Sequence, residues 1–251
     1  MDTTLAPNVR SITNLRDLGG YDSPYGKIHE RRFLRCGATA SVTRIDLLRL
    51  RRWGVRLVLD LRSEMESPRA TCVFSRQSWV RWCNVGFYDV NISAPTMVPK
   101  TDVNNYLVTS YLHMLAGDEA VRAVFSFMAL ADKNECVLFH CAAGMDRTGM
   151  VAMLLLGLAE VPREEILADY CYSFANKDRV DATVHEYVRN GQAERPPQSA
   201  FESYLLYTRL EAIATVYDTL VAHHGSVRSY LESCKVPQAH LEAVLAHLVE
   251  E

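Results

Sequence analysis

An apolar run near the middle of the chain ends in a glycine-interrupted loop, with the sequence Val137-Leu138-Phe139-His140-Cys141-Ala142-Ala143-Gly144-Met145-Asp146-Arg147-Thr148-Gly149. The apolar residues before Cys141 predict a buried strand, and the amphipathic stretch 150–160 predicts a helix. Five residues separate Cys141 from Arg147 on the turn between them. A loop of this length can wrap around a tetrahedral oxyanion, so that the thiol lies beneath the anion and the guanidinium beside it.

The backbone amides of this loop are predicted to bind the anion. Ala142, Ala143 and Gly144 are small, so their N–H groups can converge on one point, and the positive end of the following helix adds to the attraction. The same positive end favours the thiolate form of a cysteine. Arg147 offers a planar fork that matches two phosphate oxygens, a geometry that lysine cannot reproduce. The predicted phosphate-binding residues are Ala142, Ala143, Gly144, Met145, Asp146 and Arg147.

Residues that flank the loop are predicted to support this chemistry. We expect Thr148 to donate its hydroxyl to the sulfur when Cys141 becomes the leaving group. Gly149 is expected to permit close packing at the start of the helix, and His140 to support the loop from the preceding position. An isolated Cys-x5-Arg pair would favour a buried structural thiol. The flanking His, Gly and Thr-Gly in a strand–loop–helix context favour a catalytic thiol instead.

A phosphate monoester also needs a proton for its leaving oxygen, and two carboxyl groups are candidates. Asp60 lies in the segment 56–61, which predicts a parallel strand, and ligands of open α/β sheets bind at the carboxyl ends of strands. Cys141 follows another such strand, so both groups are expected at one edge, and we favour Asp60 as the general acid. Asp146, inside the loop, is the alternative as acid or as the group that orients water. Asp60 could instead cap backbone donors or pair with Arg62, which we predict as a supporting residue.

Four segments together carry a resemblance to a known family: the loop 140–149, the Asn-Leu-Arg-Asp-Leu-Gly-Gly-Tyr stretch 14–21, the Val-Leu-Asp-Leu-Arg-Ser stretch 58–63 and the tail 217–231. They resemble the atypical, bacterial-type tyrosine and lipid phosphatases. The resemblance implies an α/β fold of the cysteine-phosphatase type, with a central, mainly parallel β-sheet flanked by helices and with extra helices as a lid and a C-terminal bundle. It also implies hydrolysis through a cysteinyl-phosphate intermediate without a metal or cofactor.

The resemblance leaves the substrate open. Many members carry Lys where this chain has Met145, and that Lys is associated with activity on phosphoinositides. Met145 supplies no charge for a second phosphate, so we expect a phosphotyrosine-containing protein or a small phosphate monoester as substrate. A phosphoinositide or inositol-phosphate phosphatase is the alternative among enzymes. A catalytically silent phosphate-binding module is the alternative from another class, although the intact Cys141 and Arg147 argue against it.

Composition limits the remaining classes of protein. The 251 residues with 49% hydrophobic content predict one elaborated domain, residues 1–251. A net charge of −3 gives no indication of a nucleic-acid partner. The sequence shows neither a run of roughly 18 apolar residues that could span a bilayer nor a signal peptide. We therefore expect a cytoplasmic protein, or a secreted effector if a leader was removed.

The cysteine content favours a reducing compartment. The seven cysteines are odd in number and form no Cys-x-x-Cys pair, which argues against a disulfide framework or a zinc site. A redox-controlling disulfide between Cys141 and either Cys36 or Cys136 stays open. Ordinary core thiols are the simpler interpretation of Cys36 and Cys136.

The pattern along the chain predicts alternating strands and helices. The predicted strands are short antiparallel ones within 12–38, then 55–61, 80–85 and 136–140. The predicted helices are 42–52, 63–70, a long run at 104–131, then 163–175, 201–223, 226–233 and 237–250. Segments 86–115 and 176–200 are expected to form a lid or insertion near the site.

Overall fold

A computed structural model describes residues 7–66, 72–87, 103–190, 196–197 and 199–249, with the backbone alone for 103–105 and 190. Seven strands lie within these ranges: β1 (Arg16–Asp17), β2 (Asp22–Ser23), β3 (Gly26–Lys27), β4 (Phe33–Cys36), β5 (Val55–Asp60), β6 (Arg81–Asn84) and β7 (Cys136–His140).

Five of the strands form one sheet in the order β1-β4-β7-β5-β6, and β2 pairs with β3 separately. Strands β4, β7, β5 and β6 run parallel, whereas β1 joins β4 antiparallel. The predicted α/β architecture with a mainly parallel sheet is confirmed. The prediction of antiparallel strands throughout 12–38 is wrong for β4. All four residues of β4 are buried, as expected for a parallel strand covered on both faces.

The parallel register brings three strands to one edge of the sheet. Cys36 and Asp60 both pair with His140, the last residue of β7. The loop that contains Cys141 begins directly after His140. The sheet therefore brings the thiol and the carboxyl group of Asp60 to the same edge, as the sequence predicts.

Nine α-helices lie within the described residues: α1 (Arg44–Trp53), α2 (Val103–Leu115), α3 (Asp118–Met128), α4 (Asp146–Leu158), α5 (Arg163–Cys171), α6 (Lys177–Asn190), α7 (Phe201–His224), α8 (Val227–Ser233) and α9 (Gln238–Leu248). Among these described residues, no helix is both long enough and apolar enough to cross a membrane.

Three helix predictions need correction. The run 104–131 is two helices rather than one. Helix α2 ends at Leu115, and Gly117, a residue of low helix propensity, occupies the N-cap position of α3. The segment 176–200, expected as a lid or insertion, contains a helix that the sequence did not predict, since α6 covers 177–190. Residues 63–66 form a turn rather than the start of a helix, and the rest of the predicted helix 63–70 lies outside the described residues.

The helix that follows the catalytic loop lies at the centre of the core. Every residue of α4 from Thr148 to Leu158 is buried. A helix buried on all sides belongs inside the protein and moves little. The loop before α4 therefore starts from a rigid support. On the opposite face of the sheet, α1 covers a second apolar cluster that includes Leu50, Val58 and Leu138.

Candidate active site

The catalytic loop depends on Gly144 for its shape. Its φ of +72° lies in the left-handed region that side chains disfavour. A Cβ at this position would also lie 2.5 Å from the carbonyl oxygen of Cys36 and from the amide nitrogen of Gly37. Glycine is thus required twice, once by the backbone angle and once by the close approach of β4.

Cys141 lies at the base of this loop. Its side chain is buried, and its Sγ accepts a hydrogen bond from the Gly144 amide at 3.3 Å. Ala142 and Ala143 are exposed, so the loop itself reaches the surface. Helix α4 begins at Asp146, and the side chain of its N-cap residue, Met145, makes no capping hydrogen bond to the described residues. An amide directed at sulfur and an uncapped helix terminus are what an oxyanion site requires.

Two side chains hold the loop from behind. Asn14 Nδ2 donates to the Gly144 carbonyl at 2.7 Å, and Arg35 Nη2 donates to the same oxygen at 3.1 Å. Arg35 Nη2 also donates to the Met145 carbonyl at 3.4 Å. The peptide group is planar and trans, so its C=O and N–H point in opposite directions. A carbonyl oxygen that is held on one side of the chain therefore directs the N–H of the same peptide group to the opposite side. These tethers therefore point the loop amides away from the scaffold.

A buried carboxylate, Asp169 of α5, anchors the tethering groups. Arg16 Nε donates to Asp169 at 3.1 Å, and Arg35 forms a second, short ion pair with it. Arg16 Nη1 in turn holds Asn14 Oδ1 at 2.5 Å. Burial alone would raise the pKa of Asp169, but the Arg35 and Arg16 guanidiniums outweigh it and hold that pKa below its usual value. The Asn-Leu-Arg motif at 14–16 is thus part of the scaffold of the catalytic loop.

Asp60 is not placed to act on a substrate. It is fully buried, and Arg62 binds both carboxylate oxygens, with Nε at 2.8 Å from Oδ1 and Nη2 at 2.5 Å from Oδ2. The preference for Asp60 as the general acid is therefore corrected. The strand-end carboxylate paired with Arg62, which the sequence left as an alternative, is what the structure shows.

His140 supports the loop from inside the protein. Its Nδ1 lies 3.2 Å from the Cys141 carbonyl oxygen, and its Nε2 lies 3.4 Å from Cys72 Sγ. Burial lowers the pKa of His140, so the imidazole is neutral at neutral pH. Ligand atoms of Asp60, Cys72 and His140 lie within 4.8 Å of one another, as a metal site would need. The Arg62 guanidinium already supplies the positive charge there, and we assign no metal.

Asp146 has the geometry that Asp60 lacks. Its side chain is 36% exposed. One oxygen, Oδ1, accepts a short hydrogen bond from Tyr111 and lies 2.6 Å from Arg209 Nη1. The other oxygen, Oδ2, has no partner among the residues described. Burial alone would lower the pKa of the Arg209 guanidinium. Its interactions with Tyr170, Tyr111 and Asp146 outweigh the effect of burial, so the pKa is raised. The carboxyl group is thus held at one oxygen and available at the other.

Arg147 is oriented by Glu66, in the turn after β5. The two terminal nitrogens of Arg147 bind the two oxygens of Glu66, with Nη2 at 2.8 Å from Oε1. The Arg147 Nε–H has no partner in the described part of the chain and is available to an anion. The hydrogen bonds from Arg147 lower the pKa of Glu66 to about 2. No motif in the sequence points to Glu66, which lies in a polar stretch.

The first turn of α4 contains the two remaining predicted residues. The Thr148 hydroxyl is buried and has no partner among the described residues, which fits a donor kept for the sulfur. A Cβ on Gly149 would lie 2.7 Å from Tyr170 Cδ2. The expected close packing at Gly149 is therefore confirmed.

The structure separates the two candidate partners for a disulfide with Cys141. Cys36 pairs in register with His140, next to the nucleophile. Cys136 is the first residue of β7. At about 3.3 Å per residue, it lies roughly 13 Å from His140, the last residue of the strand, which directly precedes Cys141. A disulfide requires Cα atoms within about 7 Å, so the suggestion of Cys136 is wrong. The suggestion of Cys36 stays a prediction, and its thiol is free in the structure.

The two predicted lid segments lie partly outside the described residues, namely at 88–102, 191–195 and 198. The described part of the first segment supplies Tyr111 to the site through α2. The lid role of both segments stays a prediction.

These features together define a class of protein. A thiol that accepts an amide hydrogen bond, an uncapped helix terminus and a preoriented arginine on one loop serve thiol-based phosphoryl transfer. The class is that of cysteine-dependent phosphatases, which hydrolyse phosphoric monoesters. The model of the tyrosine phosphatase family matches residues 7–250. The chain therefore belongs to the tyrosine phosphatase family.

Three relatives agree with this assignment. The chain is 29% identical over 226 residues to a protein of Cupriavidus necator that carries a provisional tyrosine-protein phosphatase name, covering 88% of this chain and 81% of that protein. It is 28% identical over 225 residues to the tyrosine-protein phosphatase of Nostoc commune, covering 86% and 74% respectively. It is 28% identical over 141 residues to the triple specificity protein phosphatase PtpB of Mycobacterium tuberculosis, covering 53% and 51%.

The scaffold beneath the loop gives a first prediction. In Asp169→Asn, two buried guanidiniums lose their counter-charge, so the free energy of unfolding should fall by about 3–5 kcal/mol. The loop amides should also lose their orientation, which should lower kcat/KM at least about tenfold. Urea unfolding measures the change in stability, and steady-state kinetics measure the change in kcat/KM.

Glu202→Gln is the control for this variant. The ion pair between Glu202 and Arg179 is exposed, so the substitution should change the free energy of unfolding by less than about 1 kcal/mol. Similar losses in the two variants would contradict the proposed scaffold.

The Arg147–Glu66 pair gives a second prediction. Glu66→Gln should lower kcat/KM about tenfold, because Arg147 loses its orientation in the transition state. A depressed carboxylate pKa means that this interaction is present above about pH 4.5 and is lost as the pH falls through about 2. The ratio of wild-type to variant activity should therefore stay constant between pH 5 and 8 in a buffered pH series.

Glu64→Gln is the matched control for this variant, since Glu64 lies in the same turn and is exposed. It should leave kcat/KM unchanged. An equal loss in both glutamine variants, or a ratio that changes across this pH range, would exclude the orienting role of Glu66.

Proposed function

We propose that this protein dephosphorylates phosphotyrosine through a covalent intermediate on Cys141, with Asp146 as the general acid and base. The observation that carries the proposal is the hydrogen bond from the Gly144 amide to the Cys141 sulfur at an uncapped helix terminus. That geometry stabilises a thiolate and positions it beneath a bound oxyanion.

In the first step, the Cys141 thiolate attacks phosphorus and the bond from phosphorus to the phenolic oxygen breaks. The proton on Asp146 Oδ2 passes to the departing oxygen, which leaves as tyrosine. Arg147 Nε–H and the loop amides hold the phosphoryl oxygens, where fixed donors stabilise the developing charge without reorganisation. The product of the step is a phosphocysteine.

In the second step, water attacks the phosphocysteine and the S–P bond breaks. Asp146 now takes the proton from that water, so the residue returns to its starting state. The hydroxyl of Thr148 donates to the sulfur as it regains its charge. Its buried and otherwise unpartnered oxygen supports this role. Inorganic phosphate leaves the site.

Asp146 is preferred as the acid because of where its contacts lie. Tyr111 and Arg209 hold Oδ1, so the carboxyl group has one orientation. Oδ2 is free among the described residues and lies on the loop that binds the substrate. A positioned carboxyl group typically contributes about 10²–10⁴-fold to such a reaction.

The substrate class follows from the charge of the loop. Met145 is partly exposed and neutral, so the loop offers no second cation beside Arg147. A substrate with one phosphate and an aromatic ring fits that composition better than a multiply phosphorylated head group. The relative from Mycobacterium tuberculosis is named for triple specificity, so a broader substrate range is the second candidate.

Two further expectations belong to this proposal. We treat 1–251 as one domain, which the family match over 7–250 supports. The seven free thiols support a reducing, cytoplasmic location, with secretion as the alternative.

The acid role gives a third prediction. Asp146→Asn should slow the hydrolysis of phosphotyrosine about 10²-fold or more. It should slow the hydrolysis of aryl phosphates much less when their leaving oxygen needs no proton. Asp60→Asn should lower stability, because it breaks a buried pair, and should leave the dependence on the leaving group unchanged. A series of aryl phosphates measures that dependence, with Cys141→Ser as the inactive control. The same dependence in wild type and Asp146→Asn would overturn the assignment.

The composition of the loop gives a fourth prediction. Met145→Lys should raise kcat/KM for inositol phosphates and phosphoinositides relative to phosphotyrosine peptides, by about tenfold for one added charge contact. A phosphate-release assay on both substrate sets measures the ratio. Met145→Gln is the control for size without charge. Wild-type turnover of phosphoinositides above that of phosphotyrosine peptides would favour the lipid alternative, and no turnover of either would favour the silent module.

A further inference from the structure

A second concave site lies at the opposite edge of the sheet from the catalytic loop. The cavity measures about 260 Å³ and is formed where β4 and β7 begin, beneath the end of α9. Its polar lining residues are His29, Arg32, Lys133 and His247, and the remaining ones are three alanines and a valine. The cavity is therefore lined by basic and apolar side chains.

The side chains that line this cavity supply no negative charge within the described residues. None of the described lining residues is acidic. The side chains of Arg32 and Lys133 form no ion pair within the described ranges. Glu135, two positions after Lys133, is paired with Arg81 instead. Cations that converge without a counter-charge repel one another, and a bound anion removes that cost.

One nitrogen of a buried imidazole in the cavity also lacks a partner, although the ring is hydrogen-bonded to the backbone of Glu135. His247 is 7% exposed, and its Nε2 makes no hydrogen bond to the residues described. The ring packs edge-on against Phe33 at 5.3 Å, which holds its orientation. Burial and then the charge of Arg32 lower the pKa of His247 to about 4. A buried polar atom without a partner is rare and calls for a physical cause.

The walls of the cavity are built from backbone contacts. The His29 amide donates to the Leu248 carbonyl at 2.6 Å, and Ile28 forms an isolated bridge with Val249. These bonds fix the end of α9 against the segment before β4. The Arg31 guanidinium lies 4.5 Å from the centre of the Trp53 ring, away from the residues of the cavity. The arginine that follows it, Arg32, lines the cavity.

We propose that this cavity is a second anion site, which binds a small phosphate-bearing molecule through Arg32, Lys133 and His247. The volume lies below the roughly 300–1,000 Å³ of pockets for drug-sized ligands, which favours a ligand near the size of phosphate or a short-chain monoester. The phosphate oxygens pair with the two cations, and a hydroxyl group of the phosphate donates to His247 Nε2, which thereby gains its missing partner. The site is separate from the catalytic machinery, so its occupancy is independent of the proposed reaction.

The test uses the full chain with Arg147→Ala as background, because that variant weakens phosphate binding at the catalytic loop. Inorganic phosphate is titrated while the ring resonances of His247 are followed by NMR, with His247→Gln used for assignment. We expect a saturable shift. Adding Arg32→Gln and Lys133→Gln should weaken the apparent affinity by at least about tenfold, since two charge-assisted contacts are lost. The control pair Arg44→Gln and Arg52→Gln removes the same charge from α1 and should change affinity less than about twofold.

A titration with glycerol phosphate distinguishes the source of the phosphate group. Tighter binding than that of inorganic phosphate indicates an organic monoester, and equal binding indicates free phosphate. The proposal is overturned if phosphate produces no saturable shift of His247. It is also overturned if both charge-removing pairs weaken binding equally, or if acetate at the same ionic strength binds as well as phosphate.

Discussion

The carbonyl groups of the catalytic loop are bound from behind, and the rest of the site depends on this constraint. Arg35 and Asn14 hold the Gly144 carbonyl, and Asp169 balances the buried charge of Arg35. Because each peptide is planar, these contacts decide where the amides of the loop point. Without them, the helix terminus and Cys141 would still be adjacent in sequence, but the amides would not converge.

The charged groups around the loop divide into a rigid set and an accessible set. Asp60 is sealed in an ion pair with Arg62, and the neutral His140 lies beside it, so this set keeps the strand ends together. Asp146 is partly exposed and has one oxygen free among the described residues, so it can exchange a proton. The two carboxyl groups lie in the same protein and differ in role because their surroundings differ.

The polarity of the parallel sheet gives the molecule two distinct edges. The carboxyl ends of the strands present the catalytic loop, where backbone amides and Arg147 meet an anion. The amino ends of β4 and β7 present the basic cavity that contains the buried His247. The catalytic edge is assembled around a helix terminus, whereas the second edge relies on side-chain cations and needs no reactive group.

The sequence by itself determined the catalytic loop, because its parts are local. The spacing of Cys141 and Arg147, the need for Gly144 and the close packing of Gly149 all follow from the geometry of one turn between a strand and a helix. The mainly parallel sheet and the shared edge of Asp60 and Cys141 were also predictable, since buried apolar strands that alternate with helices form such sheets.

Only the tertiary structure decided which distant side chains complete the site. Glu66 reaches Arg147 across 81 positions, Arg209 reaches Asp146 across 63, and Arg35 and Asp169 meet across 134. These polar residues carry no local pattern, because their partners are set by how strands and helices pack rather than by spacing along the chain. For the same reason, the sequence preferred Asp60 over Asp146: the strand end predicted its location but not the guanidinium that covers both of its oxygens.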